Sequence, residues 1–278
     1  MIRLLQILLP DAPPRARRMQ ALDGAALAGR ADVVAVPLRR AGTMKDLRDA
    51  LASSRAEVAH VYGPPLLPGD LLAAIDLPLV AAGAAHRSPL PWKKSRQPDV
   101  ILGSSPETTV PEAVDEGYFE IAARAMPSSF RIGCAVRSRS GRAVAQGTRH
   151  RIERFRDDIR WMLFDGVPPP PDMSLLNVWV DAEPADGAEG SGIAEALAAA
   201  RAVVAVATPA NRRTLDEGAA GFLVPPDDPN ETAHAVLAAL FKPELRDPRI
   251  ARGRQKAESF RPEQRAGRLL EIYERLRR

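Results

Sequence analysis

The chain has 278 residues, 45% of them apolar and 27% charged, which suits an ordinary globular protein with material for two modest domains. Cys134 is the single cysteine, so an intramolecular disulfide framework is excluded, no Cys/His cluster has zinc-site spacing, and a reducing cytoplasm is the expected compartment. The formal net charge is +4, five of the 39 basic residues are Lys and the rest Arg, and no apolar run approaches the roughly 20 residues of a membrane span.

In chain order, the first half alternates short apolar runs with helix-compatible segments. Residues 2–9, 32–37, 58–62, 77–82 and 99–102 read as strands, and 15–27, 44–52 and 68–74 as helices, a pattern that predicts a parallel sheet covered on its faces. The first run meets Pro10-Asp11-Ala12-Pro13-Pro14 instead of a small-residue cleavage site, so it reads as a strand and not as a leader. Residues 82–94, AGAAHRSPLPWKK, read as a loop suited to line a cleft. Residues 111–124 read as a helix with Pro at its start, and Met126-Pro127-Ser128-Ser129 has a linker's composition. The expected divisions are therefore 1–127, 128–261 and a C-terminal helix 262–278 packing back on the first domain.

The second half begins with a strand at 130–136 and an Arg-rich stretch to 160. A strand at 161–164, a Pro-rich turn, a strand at 176–180 and an acidic, Gly-rich loop at 181–191 follow. Asp228-Pro229-Asn230-Glu231 is a capping box that starts a helix running to about Phe241. Residues 262–276 carry Leu269, Leu270, Tyr273 and Leu276 on one helical face, with acids early and arginines late, as the helix dipole prefers.

The segment 192–226, GIAEALAAARAVVAVATPANRRTLDEGAAGFLVPP, is the most informative. It reads as a helix holding Glu195, a buried strand, a short helix over 211–217 ended by Gly218, and a closing strand. Thr208 and Asn211 follow the strand directly, where a parallel sheet presents its carboxyl ends to ligands; capping of the short helix is an equally good account of them. Upstream, Arg137 follows the strand RIGCAV, and Arg142 comes five residues later, after Gly141.

These features together resemble the nucleotide-sugar half of retaining GT-B glycosyltransferases of family 4, the glycosyl transferases group 1. The resemblance is best over 130–142 and 175–276 and topological before that. It implies an α/β fold of two Rossmann-like domains facing a cleft, the first reduced, and transfer of a sugar from a nucleoside-diphosphate sugar to an acceptor, with retention. In that family a Gly-Arg pair, and a Lys five residues after the Arg, hold the diphosphate; here Val136 stands for the Gly and Arg142 for the Lys, so both charges are kept. Two cations and helix-terminal amides stabilise a departing diphosphate without a metal, and no cofactor beyond the donor substrate is expected.

The family's paired glutamates are separated by seven residues. Glu195 matches the second and is implied to accept hydrogen bonds from the ribose hydroxyls. The first would fall at Gly187, and the nearest Glu, Glu189, leaves five intervening residues; it is the candidate sugar-site carboxylate, with Gly190-Ser191-Gly192 offering amides to the diphosphate. His86 is the candidate for the family's sugar-contacting His, with His60 in the strand AHVYG as its rival.

Residues 131–160 hold nine Arg against Glu153, Asp157 and Asp158, a balance open to peripheral contact with an acidic membrane surface. Aromatics at 5% are too few for a stacking platform, so no nucleic acid is expected. The rival reading from another class is a catalytically degenerate GT-B-like protein that binds nucleotide or a protein partner without sugar transfer. A dinucleotide-binding oxidoreductase is disfavoured because LPDAPPRA occupies the place of a Gly-x-Gly-x-x-Gly turn.

Overall fold

Parallel strands and their covering helices make up the computed structural model, which describes residues 1–38, 43–63, 66–81, 84–86, 96–102, 110, 113–122, 129–183 and 192–278. The chain divides into two units: Met1–Ala113 with Pro262–Arg278, and Val114–Arg261.

The first unit runs β1 (Ile2–Leu8), α1 (Pro14–Leu27), β2 (Ala31–Pro37), α2 (Thr43–Ser54), β3 (Val58–Tyr62), β4 (Leu66–Pro68), α3 (Gly69–Leu72), β5 (Leu79–Ala81), β6 (Ala84–His86) and β7 (Val100–Ile101). Its sheet has the order β2-β1-β3-β5-β7, all parallel, and β4 pairs with β6 separately. Because side chains alternate along a strand, β1 feeds two cores. Leu5 and Ile7 pack with Leu47 of α2 and Leu72 of α3, whereas Ile2 and Leu4 pack with Leu27 of α1 and with Leu269, Ile272 and Tyr273. The last three belong to the C-terminal helix, which the first unit therefore claims as part of its core. Each such side chain, fully buried, contributes roughly 1.5–3 kcal/mol.

A buried polar network reinforces that helix. Arg265 donates through Nε to Asp23 Oδ1 at 2.6 Å and through NH2 to Asp23 Oδ2 at 3.1 Å. Tyr62 Oη donates to the same Oδ2 at 2.8 Å and accepts from Gln6 Nε2 at 3.2 Å. His60 Nδ1 lies 2.6 Å from the Tyr273 hydroxyl, and its ring stacks on Tyr62 with centroids 4.1 Å apart. Burial, with the Arg265 charge nearby, pushes His60 down to about 3, so it is a neutral packing residue.

The second unit runs α4 (Glu116–Phe119), β8 (Phe130–Ala135), α5 (Arg139–Glu153), β9 (Ile159–Phe164), α6 (Pro170–Leu175), β10 (Val178–Asp181), α7 (Ile193–Ala198), β11 (Ala202–Val206), α8 (Pro209–Thr214), β12 (Phe222–Val224), α9 (Pro229–Phe241) and α10 (Pro243–Ala257). The chain then returns to the first unit as α11 (Pro262–Arg277). The second sheet has the order β12-β11-β10-β8-β9 and is parallel throughout. One face, with Ile132, Cys134, Val180 and Val204, packs against Val144 and Ile152 of α5 and Val236 and Leu240 of α9. The other, with Trp179, Val203 and Ala205, packs against Leu197 of α7 and Ala257 of α10. No described helix is long and apolar enough to cross a membrane.

Several expectations need correcting. Of the helix expected over 111–124, the described part is helical only at α4, because Asp115 caps it by accepting from Gly117 N at 2.9 Å while Val114 N donates to Phe260 O. Val114, Tyr118 and Phe119 pack into the second unit's core, so that unit begins before the composition-based boundary at Pro127. Within the expected loop 82–94, residues 84–86 form β6, which pairs with Leu66–Pro68, so that Pro68, the first residue of the expected helix 68–74, is in a strand. The short helix after β11 begins at Pro209 and ends at Thr214, ahead of a 3-10 turn at Asp216–Gly218. Helix α10 escapes a periodicity reading because Pro243 and the internal Pro248 punctuate it.

Candidate functional site

Three adjacent strand ends of the second sheet gather charged groups on one rim. Register sets Ala135 of β8 and Ala205 of β11 on either side of Asp181, the last residue of β10. Strands that run parallel end on the same edge, so the residues following β8, β10 and β11 are neighbours there.

From β8 the chain passes through Val136 and Arg137 to Ser138, the N-cap of α5, whose Oγ accepts from Gly141 N at 2.9 Å. Glu183 reaches across from the end of β10, and its Oε1 accepts from Arg137 N at 2.8 Å and Ser138 N at 3.1 Å. Gly141 makes this approach possible, since a Cβ there would overlap the Glu183 carboxylate. A protein carboxylate thus sits on the amides opening α5, where helix ends favour negative charge.

Asp181 is the second acid. Its Oδ1 lies 3.2 Å from Arg137 NH2 and 3.3 Å from Glu183 N, and it also accepts from the Asn211 side chain. Asn211 donates through Nδ2 to Val206 O at 2.9 Å, and its own N–H donates to Thr208 Oγ1 at 3.1 Å. Thr208 is thereby the N-cap of α8, which accounts for it structurally, while Asn211 bridges the end of β11 to Asp181.

The electrostatics of the two acids differ. Burial pushes Asp181 up to about 6, and the Arg137 charge, the Glu183 amide and Asn211 only partly oppose it. For Glu183 burial acts upward as well, but the Ser138 hydroxyl, the two amides and the Arg137 charge outweigh it and hold the group below its ordinary value. Cys134 lies beneath, free and buried; burial and the two carboxylates push it up to about 12 and leave it an inert thiol. With both acids ionised, Asp181 and Glu183 set two negative charges beside the Arg137 guanidinium.

The other expected residues fall as follows. Arg142 is the fourth residue of α5 and is exposed. Gly192 is the N-cap of α7 at φ +71°, a backbone shape that suits glycine, and any side chain there would also meet Trp179. Glu195 is buried within α7 at 3% exposure. His86 ends β6 in the first unit, beside Pro68. Glu189 lies outside the described residues. The structure therefore joins Arg137 and Asn211 through Asp181, with Thr208 at Asn211's amide, and it adds Asp181, Glu183 and Ser138, which sequence reasoning had not selected. The available signal was positional: an acid ending one parallel strand and another two residues on, beside a strand that is followed by an arginine.

The glycosyl transferases group 1 profile matches residues 186–241, the span from the loop before α7 to the end of α9. No curated protein sequence matches the chain. Among solved structures, a glycosyltransferase from Rickettsia africae ESF-5 is similar, with a TM-score of 0.71, 12% identity and coverage of 99% of this chain and 98% of that one. Anabaena HepE, in complex with UDP and glucose, is similar with a TM-score of 0.68 and 13% identity over 99% and 100% of the two chains. Sucrose-phosphate synthase from Thermosynechococcus elongatus gives 0.66 and 14% identity over 99% of both. At such identities the likeness establishes the fold, an α/β architecture with two parallel sheets shared with GT-B glycosyltransferases.

Proposed function

We propose that this chain is a glycosyltransferase that takes a sugar from a nucleoside-diphosphate donor, with retention of configuration, and that the rim of the second sheet binds the donor's nucleotide. The observation that carries this reading is the coincidence of two lines: the profile match over 186–241 includes Asn211, past the carboxyl end of β11, on the same sheet edge where Arg137 and the amides following β8 converge.

Sugar transfer leaves a diphosphate whose charge grows as the glycosidic bond breaks. A guanidinium pairs two phosphate oxygens at once, and helix-terminal amides add fixed dipoles that need no reorganisation during the reaction. In this reading Arg137 and Arg142 hold the diphosphate, Gly192 adds an amide at the opening of α7, and Asn211 and Thr208 shape the floor. Glu195 takes the ribose hydroxyls, and Glu189 and His86 serve the transferred sugar. UDP and glucose bound to HepE support a nucleotide sugar as the ligand class.

The test is turnover. Purified protein is incubated with UDP-, GDP- and ADP-glucose, and release of the nucleoside diphosphate is followed with and without a panel of sugar and lipid acceptors, the anomer of any product being assigned by NMR. Release with one donor, lost in Arg137→Ala and Glu189→Gln, supports the reading; binding of a nucleotide sugar with no release under any condition would favour a non-transferring protein.

A further inference from the structure

We propose that Asp181 and Glu183 act as an internal competitor for the donor: in the free protein they occupy the guanidinium of Arg137 and the opening amides of α5, and a diphosphate binds by displacing them. The inference rests on the nucleotide-sugar reading above and adds to it a regulation of that same site.

The geometry gives each acid a distinct part. Glu183 Oε1 takes both Arg137 N and Ser138 N, the amides just ahead of α5, where the helix terminus favours an anion. Asp181 Oδ1 takes Arg137 NH2 in a single contact of 3.2 Å, with the Asp181 side chain 2% exposed and that of Arg137 17% exposed. Among the described residues the Arg137 guanidinium therefore stands beside two carboxylates, and an arriving diphosphate meets their negative charge unless one acid lets go. The ionic neighbours of Asp181 are Arg137, from the segment joining β8 to α5, and Glu183, from its own strand end; α8 contributes Asn211, which is neutral, and β8 the thiol of Cys134.

Protonation of Asp181 is the economical way to let go. A proton taken from solvent neutralises the carboxylate, loosens its hold on Arg137 NH2 and removes one repulsive charge. Burial has already pushed this group up to about 6, and a bound dianion nearby raises it further, so binding takes up a proton near neutrality. Donor affinity then rises as pH falls through that region. A diester such as UDP-glucose is the right probe, because its phosphates keep fixed charge there, whereas a terminal phosphate titrates near pH 6 itself.

The experiment is isothermal titration of the full chain with UDP-glucose from about pH 5.5 to about pH 8, in two buffers of different ionisation heat, repeated on Asp181→Asn and Glu183→Gln. The expected result is wild-type binding that tightens about tenfold from the alkaline to the acid end, the change a pKa displacement of one unit produces, with buffer-dependent heat reporting proton uptake. Asp181→Asn binds about tenfold tighter than wild type at the alkaline end and loses both signatures, and Glu183→Gln tightens binding by a smaller factor. Wild-type binding that ignores pH and buffer, or Asp181→Asn binding more weakly than wild type, overturns the competitor role and leaves Asp181 as a group that positions Arg137. No binding by any form at any pH overturns the competitor together with the nucleotide-sugar reading, so the two failures are separable.

Discussion

Each unit sets an arginine against a buried aspartate, and the two pairs differ in how the aspartate is held. In the first unit Asp23 uses both oxygens on Arg265 and accepts Tyr62 as well, at 2.6, 3.1 and 2.8 Å. In the second, Arg137 reaches Asp181 through a single 3.2 Å contact, a second carboxylate stands beside them, and the aspartate is pushed up to about 6. The first pair clamps α11 on its sheet; in the proposed reading the second is the pair that a donor phosphate displaces. Residue types alone do not separate the two pairs, and the surroundings of each aspartate do.

The sharpest way to break this contrast is to remove the acid from each pair. Asp23→Ala strands a buried guanidinium and should destabilise the protein by about 3–5 kcal/mol in urea unfolding. Asp181→Asn should do the opposite at alkaline pH. The folded value near 6 lies above the ordinary 3.8, so Asp181 contributes stability that is present below 3.8 and lost as pH rises through 6. Relieving it should add on the order of 2 kcal/mol. Equal losses in the two variants would erase the distinction.

His60 sharpens the comparison through pH. Its folded value of about 3 lies below the ordinary 6.5, so the unfolded chain binds the extra proton and stability is lost as pH falls from 6.5 toward 3. The urea midpoint of the wild type should decline across that window, and His60→Gln should flatten the decline although its baseline stability is lower. The smallest effect belongs to Arg142, which is exposed: Arg142→Ala should leave stability within about 0.5 kcal/mol while weakening donor binding about tenfold.

Much of the fold was legible from the chain. β3 at Val58–Tyr62 and α9 at Pro229–Phe241 follow from an apolar run and a capping box whose signals are local. The positions of Arg137 and Asn211 on the rim were legible because a residue placed just past a buried parallel strand has few places to go. Asp181 and Glu183 were not, since the loop after β10 reads as generically acidic, and only the register of β10 between β8 and β11 gives those two acids their partners. The Asp23–Arg265 pair was equally hidden, being formed by residues 242 positions apart. Helix α4 was over-read from composition, because nothing in Pro111-Glu112 announces that Asp115 will cap.

In the proposed function the rim around Arg137 binds a nucleotide sugar. Calorimetric titration of UDP, GDP and ADP into the wild type and into Arg137→Ala tests it most directly. One nucleotide should bind the wild type, and Arg137→Ala should weaken it about 10- to 100-fold, the range for a charge-assisted pair, at a temperature where thermal unfolding shows both proteins folded. Equal affinity in the two proteins, or no heat with any of the three nucleotides, would contradict the account.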